Sequence, residues 1–187
     1  KEGIRFKHAF AGPWCAPSRA MVLTGRYLHG IEGLDFSDYP KIRQNPEQFR
    51  MWPEVFRNNG YTTAVIGKWH LGLGGPEGPN WNGALKPGPR EIGFGFNFLL
   101  PTTNDRVPQV YVQNHRVLNL DPKDPLWVGN KKPSPDHPTG ITHRDTLKMD
   151  WSHGHNSTIH NGISRIGFYT GGHAARFRDE DLADEWV

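Results

Sequence analysis

The chain has 187 residues, enough for one domain with a sizeable core, and its 35% apolar content sets only modest burial. Its 22 basic and 19 acidic side chains leave a formal charge of +3, too balanced for a general nucleic-acid footprint yet tolerant of an anionic substrate. No apolar run reaches the roughly 18 residues that span a bilayer and no signal-peptide pattern opens the chain, so no membrane span is expected and the compartment is unknown, with periplasm and secretion among the options.

Taken in chain order, "KEGIRFKHAFAG" alternates Ile4, Phe6 and His8, the pattern of a strand with one buried face. "CAPSRAMVLTG" follows, with Pro17 suited to a first helical turn and Gly25 to a helix end, which places Cys15 at a helix N-terminus. "MWPEVFRNNG" repeats that grammar, with Pro53 in a first turn and Gly60 just past the last. The β-rich run at 61–66 then predicts a short buried strand. A helix feeding a nearly all-apolar strand points to an α/β layer fold with a mainly parallel or mixed sheet between helices. Glycine and proline, 22 and 16 in number, cluster at 74–92 and 121–140, which are expected as loops over a single domain of residues 1–187 rather than linkers between two. At the far end, "RDEDLADEWV" offers Asp179 as an N-cap and loads the early helix with acid.

Cys15 is the only cysteine, which rules out an intrachain disulfide. A single cysteine is by default a small buried apolar residue. Its neighbours argue otherwise, because backbone N–H groups at a helix start attract anions and Arg19, one turn on, lies on the same face. Several nucleophile schemes fail on spacing. A cysteine phosphatase loop needs arginine six residues on, where Met21 stands, and a thioredoxin-like pair needs a second cysteine at the position of Ser18. In "IGKWHLG", an extended backbone would point Lys68 and His70 to one face and Trp69 to the other. The glycines of "GLGG" make no dinucleotide fingerprint, since the third position falls on Glu77.

Residues 15–26, "CAPSRAMVLTGR", satisfy every fixed letter of C-x-P-S-R-x-x-x-L-T-G-R, and "GYTTAVIGKWHLG" at 60–72 supplies a second signature in the right order. In both, the chain resembles the type I sulfatase family. The resemblance implies an alkaline-phosphatase-like α/β sandwich, Ca²⁺, and a cysteine, here Cys15, oxidised to formylglycine by a maturation enzyme that recognises Pro17 and Arg19. It implies that one hydroxyl of the hydrated aldehyde at 15 binds calcium and attacks sulfur, and that the second expels sulfate. It also implies that Arg19 offsets charge, that Lys68 bridges the sulfate and residue 15, and that His70 is the base that assists collapse. The substrate would be a sulfated small molecule or a sulfated carbohydrate.

The chemistry suits these residue types, because a sulfate monoester needs its oxygens neutralised and a nucleophile better than water. "FLLPTTNDRVP" at 98–108 resembles the segment where some sulfatases place a hydroxyl on the sulfate, which makes Thr103 a candidate, Thr102 a near equal, and a capped turn the alternative for both. His153, His155 and His160 crowd "WSHGHNSTIHNG" without a carboxylate or cysteine partner, and a substrate-side loop or solvated histidines is preferred there to a metal site. The family's paired aspartates would precede residue 1, and its downstream acid, amide, histidine and lysine would follow residue 187. The chain is therefore expected to be an internal stretch of an N-terminal sulfatase domain, inactive alone unless acids such as Asp105 or Asp121 complete the site. Two rivals remain: a phosphonate or phosphate monoester hydrolase of the same superfamily, and a non-catalytic carbohydrate-binding remnant that keeps its Trp and His loops.

Overall fold

A computed structural model of the chain describes residues 3–30, 50–103 and 108–128. Helix α1 spans Cys15–Thr24 and helix α2 spans Trp52–Asn58. Strands β1 (Ala64–Lys68), β2 (Phe96–Leu100), β3 (Val112–Gln113) and β4 (Arg116–Val117) form one sheet in that order. Short 3-10 turns stand at Leu28–Gly30 and Pro89–Ile92.

Both helices follow their local signals. α1 buries Ala16, Ala20 and Leu23, spaced to lie along one face, and ends where Gly25 takes φ 65° and donates its N–H to the carbonyl of Met21. The Ser18 hydroxyl reaches back to the carbonyl of Gly12 at 2.9 Å, which fixes the chain's approach to the helix. α2 carries Pro53 in its first turn, and Gly60, at φ 84°, follows its cap.

The sheet is mixed. β1 and β2 run parallel, with Ala64 opposite Phe96 and Lys68 opposite Leu100, whereas β2–β3 and β3–β4 are antiparallel. Thr63 locks the start of the parallel pair: its carbonyl accepts from Gly95 and Phe96, and its hydroxyl donates to the carbonyl of Gly93 at 2.7 Å. Met51, Leu85, Leu99, Val110 and Val112 are fully buried, and Trp69, Leu71, Leu73 and Phe94 continue that core beneath the end of β1. Gly93, at φ 110°, lies so close to α2 that a methyl group there would overlap the backbone of Pro53 and Glu54.

Three expectations are corrected. The alternation of Ile4, Phe6 and His8 forms no strand; Ile4 and Phe6 are 84% and 75% exposed, because a strand needs a partner and these residues pair with none among the described ones. The strand expected at 61–66 instead occupies Ala64–Lys68, set by its register on β2 rather than by β propensity. Nor is it fully buried. Among the described residues β1 stands at the edge of the sheet and Ile66 is 63% exposed, so the apolar run does not mean burial on both faces there. The sheet itself is mixed, within the mainly parallel or mixed arrangement expected, with β1–β2 as its parallel pair. The expected histidine loop at 151–162, the acidic helix at 179–187 and Asp105 lie outside the described residues.

Candidate active site

Cys15 is the first residue of α1 and is exposed, the opposite of the default for a single cysteine. Trp14 precedes it in extended conformation, and no side chain caps the helix start. One turn on, Arg19 is half-buried and its Nε donates to the carbonyl of Trp69, fifty positions along the chain. Burial pushes the Arg19 guanidinium below its ordinary value, and the electrostatic attraction of nearby Cys15 offsets part of that shift. The arginine thus faces two ways, toward residue 15 on its own helix and toward the end of β1.

That end departs from regular strand geometry. In a regular strand successive N–H groups point to opposite sides, yet the N–H of Trp69 donates to Leu100 and the next, of His70, donates to Pro101, each at 2.9 Å. His70 itself then adopts φ 57°, a left-handed conformation that costs a non-glycine residue about 1 kcal/mol or more. Simple alternation therefore does not relate Lys68 to His70. Lys68 closes β1 within the ladder, His70 lies past the turn, and both are partly buried while Trp69 between them is 3% exposed.

The facing strand ends at the same level. Leu100 is the last residue of β2, Pro101 accepts from His70, and Thr102 and Thr103 follow. Both hydroxyls are buried and find no hydrogen-bond partner among the described residues, an arrangement that costs about 1–3 kcal/mol per group unless a ligand supplies a partner. Lys68, His70, Thr102 and Thr103 thus all lie at the carboxyl ends of a parallel strand pair, where open α/β sheets place their ligand crevices. Arg19 ties the start of α1 to this edge.

Sequence reasoning missed the structural part played by Trp69, whose signal was a bulky apolar residue wedged between two polar ones. It also ranked Thr103 just ahead of Thr102, whereas the two hydroxyls are equally buried and equally without a partner among the described residues. Asp121 serves the loop it occupies, accepting from the N–H of Lys123 at 2.9 Å. Among the described residues no three His, Cys, Asp or Glu side chains come together, so they do not by themselves supply the six to eight oxygens that Ca²⁺ takes. A separate cavity of about 380 Å³ runs between α1, α2 and β1. It is lined by Val22, Leu23, Trp52, Ile66 and Phe94 as well as Arg19 and Trp69.

These features define an α/β protein with polar side chains gathered at the carboxyl ends of its parallel strand pair and a cysteine-headed helix tied to that end through Arg19. The sulfatase family model matches residues 1–116, and the chain belongs to that family. An N-acetylgalactosamine-6-O-sulfatase of Bacteroides thetaiotaomicron is 40% identical over 184 residues, covering 98% of this chain and 36% of the relative. The mouse steryl-sulfatase is 36% identical over 116 residues, covering 57% of this chain and 18% of that enzyme. A solved structure from work on the metabolism of multiple glycosaminoglycans by B. thetaiotaomicron superposes with a TM-score of 0.75 at 41% identity, covering 91% of this chain and 36% of that one. The chain therefore spans about a third of the length of its full-coverage relatives, and the part described has the alkaline-phosphatase-like α/β architecture. No helix among the described residues is long and apolar enough to cross a membrane.

Proposed function

We propose that this chain carries the nucleophile side of a sulfate monoester hydrolase site, within a single catalytic domain to which all of residues 1–187 belong. The observation that carries the reading is the Arg19–Trp69 hydrogen bond, which draws the helix headed by Cys15 up to the segment between Lys68 and His70. Membership of the sulfatase family supports the reaction class. The proposed nucleophile is formylglycine made from Cys15 by a maturation enzyme acting on the Cys15–Pro17–Arg19 motif; its hydrate supplies both a hydroxyl to attack sulfur and a second hydroxyl that allows the aldehyde to reform.

The chain's own residues then have separate tasks. Arg19, with Nε already engaged by Trp69, turns its remaining donors toward the developing negative charge, for which a planar guanidinium fork is well shaped. Lys68 neutralises a sulfate oxygen and bridges it to residue 15. His70 accepts the proton released as the aldehyde is regenerated. The Thr103 hydroxyl, with Thr102 beside it, gives a sulfate oxygen the partner that the described protein residues do not. Calcium follows from the family resemblance, with residue 15 as the one ligand this chain would contribute.

The relative matched over nearly the whole chain points to a 6-O-sulfated amino sugar as the substrate class, in preference to a sterol or aryl sulfate. The test is expression of the full-length protein with a formylglycine-generating enzyme, mass spectrometry of the tryptic peptide 8–19, and paired rates on sulfate and phosphate esters. Conversion at position 15 with sulfate strongly preferred supports the proposal. An unmodified thiol in such a host would refute the nucleophile, and a preference for phosphate would favour the phosphate or phosphonate hydrolase alternative.

A further inference from the structure

Trp69 has no chemical task in the proposed reaction, yet it is held by several bonds at once. Its N–H donates to the carbonyl of Leu100 at 2.9 Å, its carbonyl accepts from Arg19, and its indole N–H donates to the carbonyl of Gly72 at 2.7 Å. Its ring meets Phe94 edge to face, with centroids 6.4 Å apart, and Phe94 in turn meets Trp52 of α2 at 5.9 Å. The residue is 3% exposed, with its ring against Phe94 in the core. On either side stand Lys68 and His70, and His70 holds a left-handed conformation that persists only where its surroundings over-determine it. The indole bond spans that residue: it runs from position 69 to position 72 and closes the turn containing His70. The carbonyl of Trp69 joins the same turn to the helix that begins with Cys15.

We propose that Trp69 is a positioning residue, which through its indole bond to Gly72 and its main-chain ties to Arg19 and Leu100 holds Lys68 and His70 in one fixed arrangement against residue 15. The inference rests on the sulfatase reading for its catalytic consequence but not for its structural one. A side chain that only filled the core could lose its N–H at a cost in stability but without disturbing Lys68 or His70. The separation of ring from N–H is therefore the decisive perturbation.

The experiment replaces Trp69 in the full-length protein, site-specifically, with benzothienylalanine, which keeps the ring and removes the N–H, and in parallel with azatryptophan, which keeps both. Turnover of the sulfate ester that the parent hydrolyses best is measured beside the imidazole resonances of His70 in histidine-labelled protein, assigned with His70→Gln. The expected result is a folded benzothienylalanine protein whose kcat falls about tenfold, as for one lost hydrogen bond, whose KM stays within twofold, and whose His70 resonance shifts or splits. Azatryptophan restores all three. Trp69→Phe, which also lacks the N–H, is the second variant and shows the same loss should the first not fold. Unchanged kcat and an unchanged His70 resonance in a folded variant without the N–H overturn the proposal, as does an azatryptophan protein no better than benzothienylalanine. If the parent hydrolyses no sulfate ester, the sulfatase reading fails by itself, and the His70 resonance alone decides the positioning role.

Discussion

Arg19→Lys keeps the charge and removes the geometry, and the structure says what that costs. The guanidinium bonds Trp69 through Nε and lies near enough to Cys15 to interact with its charge, whereas an ammonium on a flexible stem offers one nitrogen for both tasks. If the lysine stays near residue 15, the Trp69 carbonyl loses a charged donor, a bond worth about 1.5–3 kcal/mol when buried and, at a half-buried arginine, closer to 1–2. If it turns to Trp69 instead, the developing charge loses one donor, a deficit of about 10²–10³ in turnover. In the first case the loss falls on stability, lowering the melting temperature by a few degrees, and reaches kcat/KM only as far as the site loses its geometry; in the second the melting temperature is nearly unchanged and kcat/KM falls about 10²–10³-fold. Arg19→Met removes both contacts and should lower turnover by more than about a thousandfold. The assay is steady-state hydrolysis by the full-length protein at confirmed equal formylglycine content, beside a thermal melt. An Arg19→Lys enzyme within twofold of the parent and equally stable would show that the contact to Trp69 does not organise the site.

The same geometry gives three further expectations. Gly93→Ala and Gly25→Ala both force alanine into a positive-φ conformation, but Gly25 has open space around it and Gly93 faces the backbone of α2; we expect a loss of about 1 kcal/mol at Gly25 against about 3 or more at Gly93, read by denaturant titration, and equal losses would mean that α2 does not sit against Gly93 as described. Lys68→Ala and His70→Ala should each lower kcat by more than about a hundredfold with the fold retained, and near-normal rates in both would return them to ordinary surface roles. Thr103→Val and Thr102→Val should leave stability unchanged or slightly improved, since each hydroxyl is buried without a partner among the described residues, while whichever meets the sulfate raises KM; a clear loss of stability in both would indicate partners within the protein.

Much of this was written locally. The bounds of α1 and α2 follow from Pro17, Gly25, Pro53 and Gly60, because those residues act through their own backbone angles and need no distant partner. Cys15 at a helix start with Arg19 one turn away is likewise a matter of helical spacing, so that placement and the family the two motifs resemble were legible in the sequence. What only the tertiary structure decided is where strands begin and what they meet. Ile4 and Phe6 alternate as a strand would and remain exposed, and β1 starts three residues later than its propensity suggests because β2 sets the register. The left-handed turn at His70 and the anchoring of Trp69 also lie beyond sequence reading. A period-two pattern carries side-chain alternation forward without end, whereas the hydrogen bonds to Leu100, Pro101 and Arg19 that break it come from chain segments about thirty and fifty residues away. Pairing is non-local, and its physical basis is a partner's unsatisfied N–H or carbonyl group, which no stretch of sequence contains by itself.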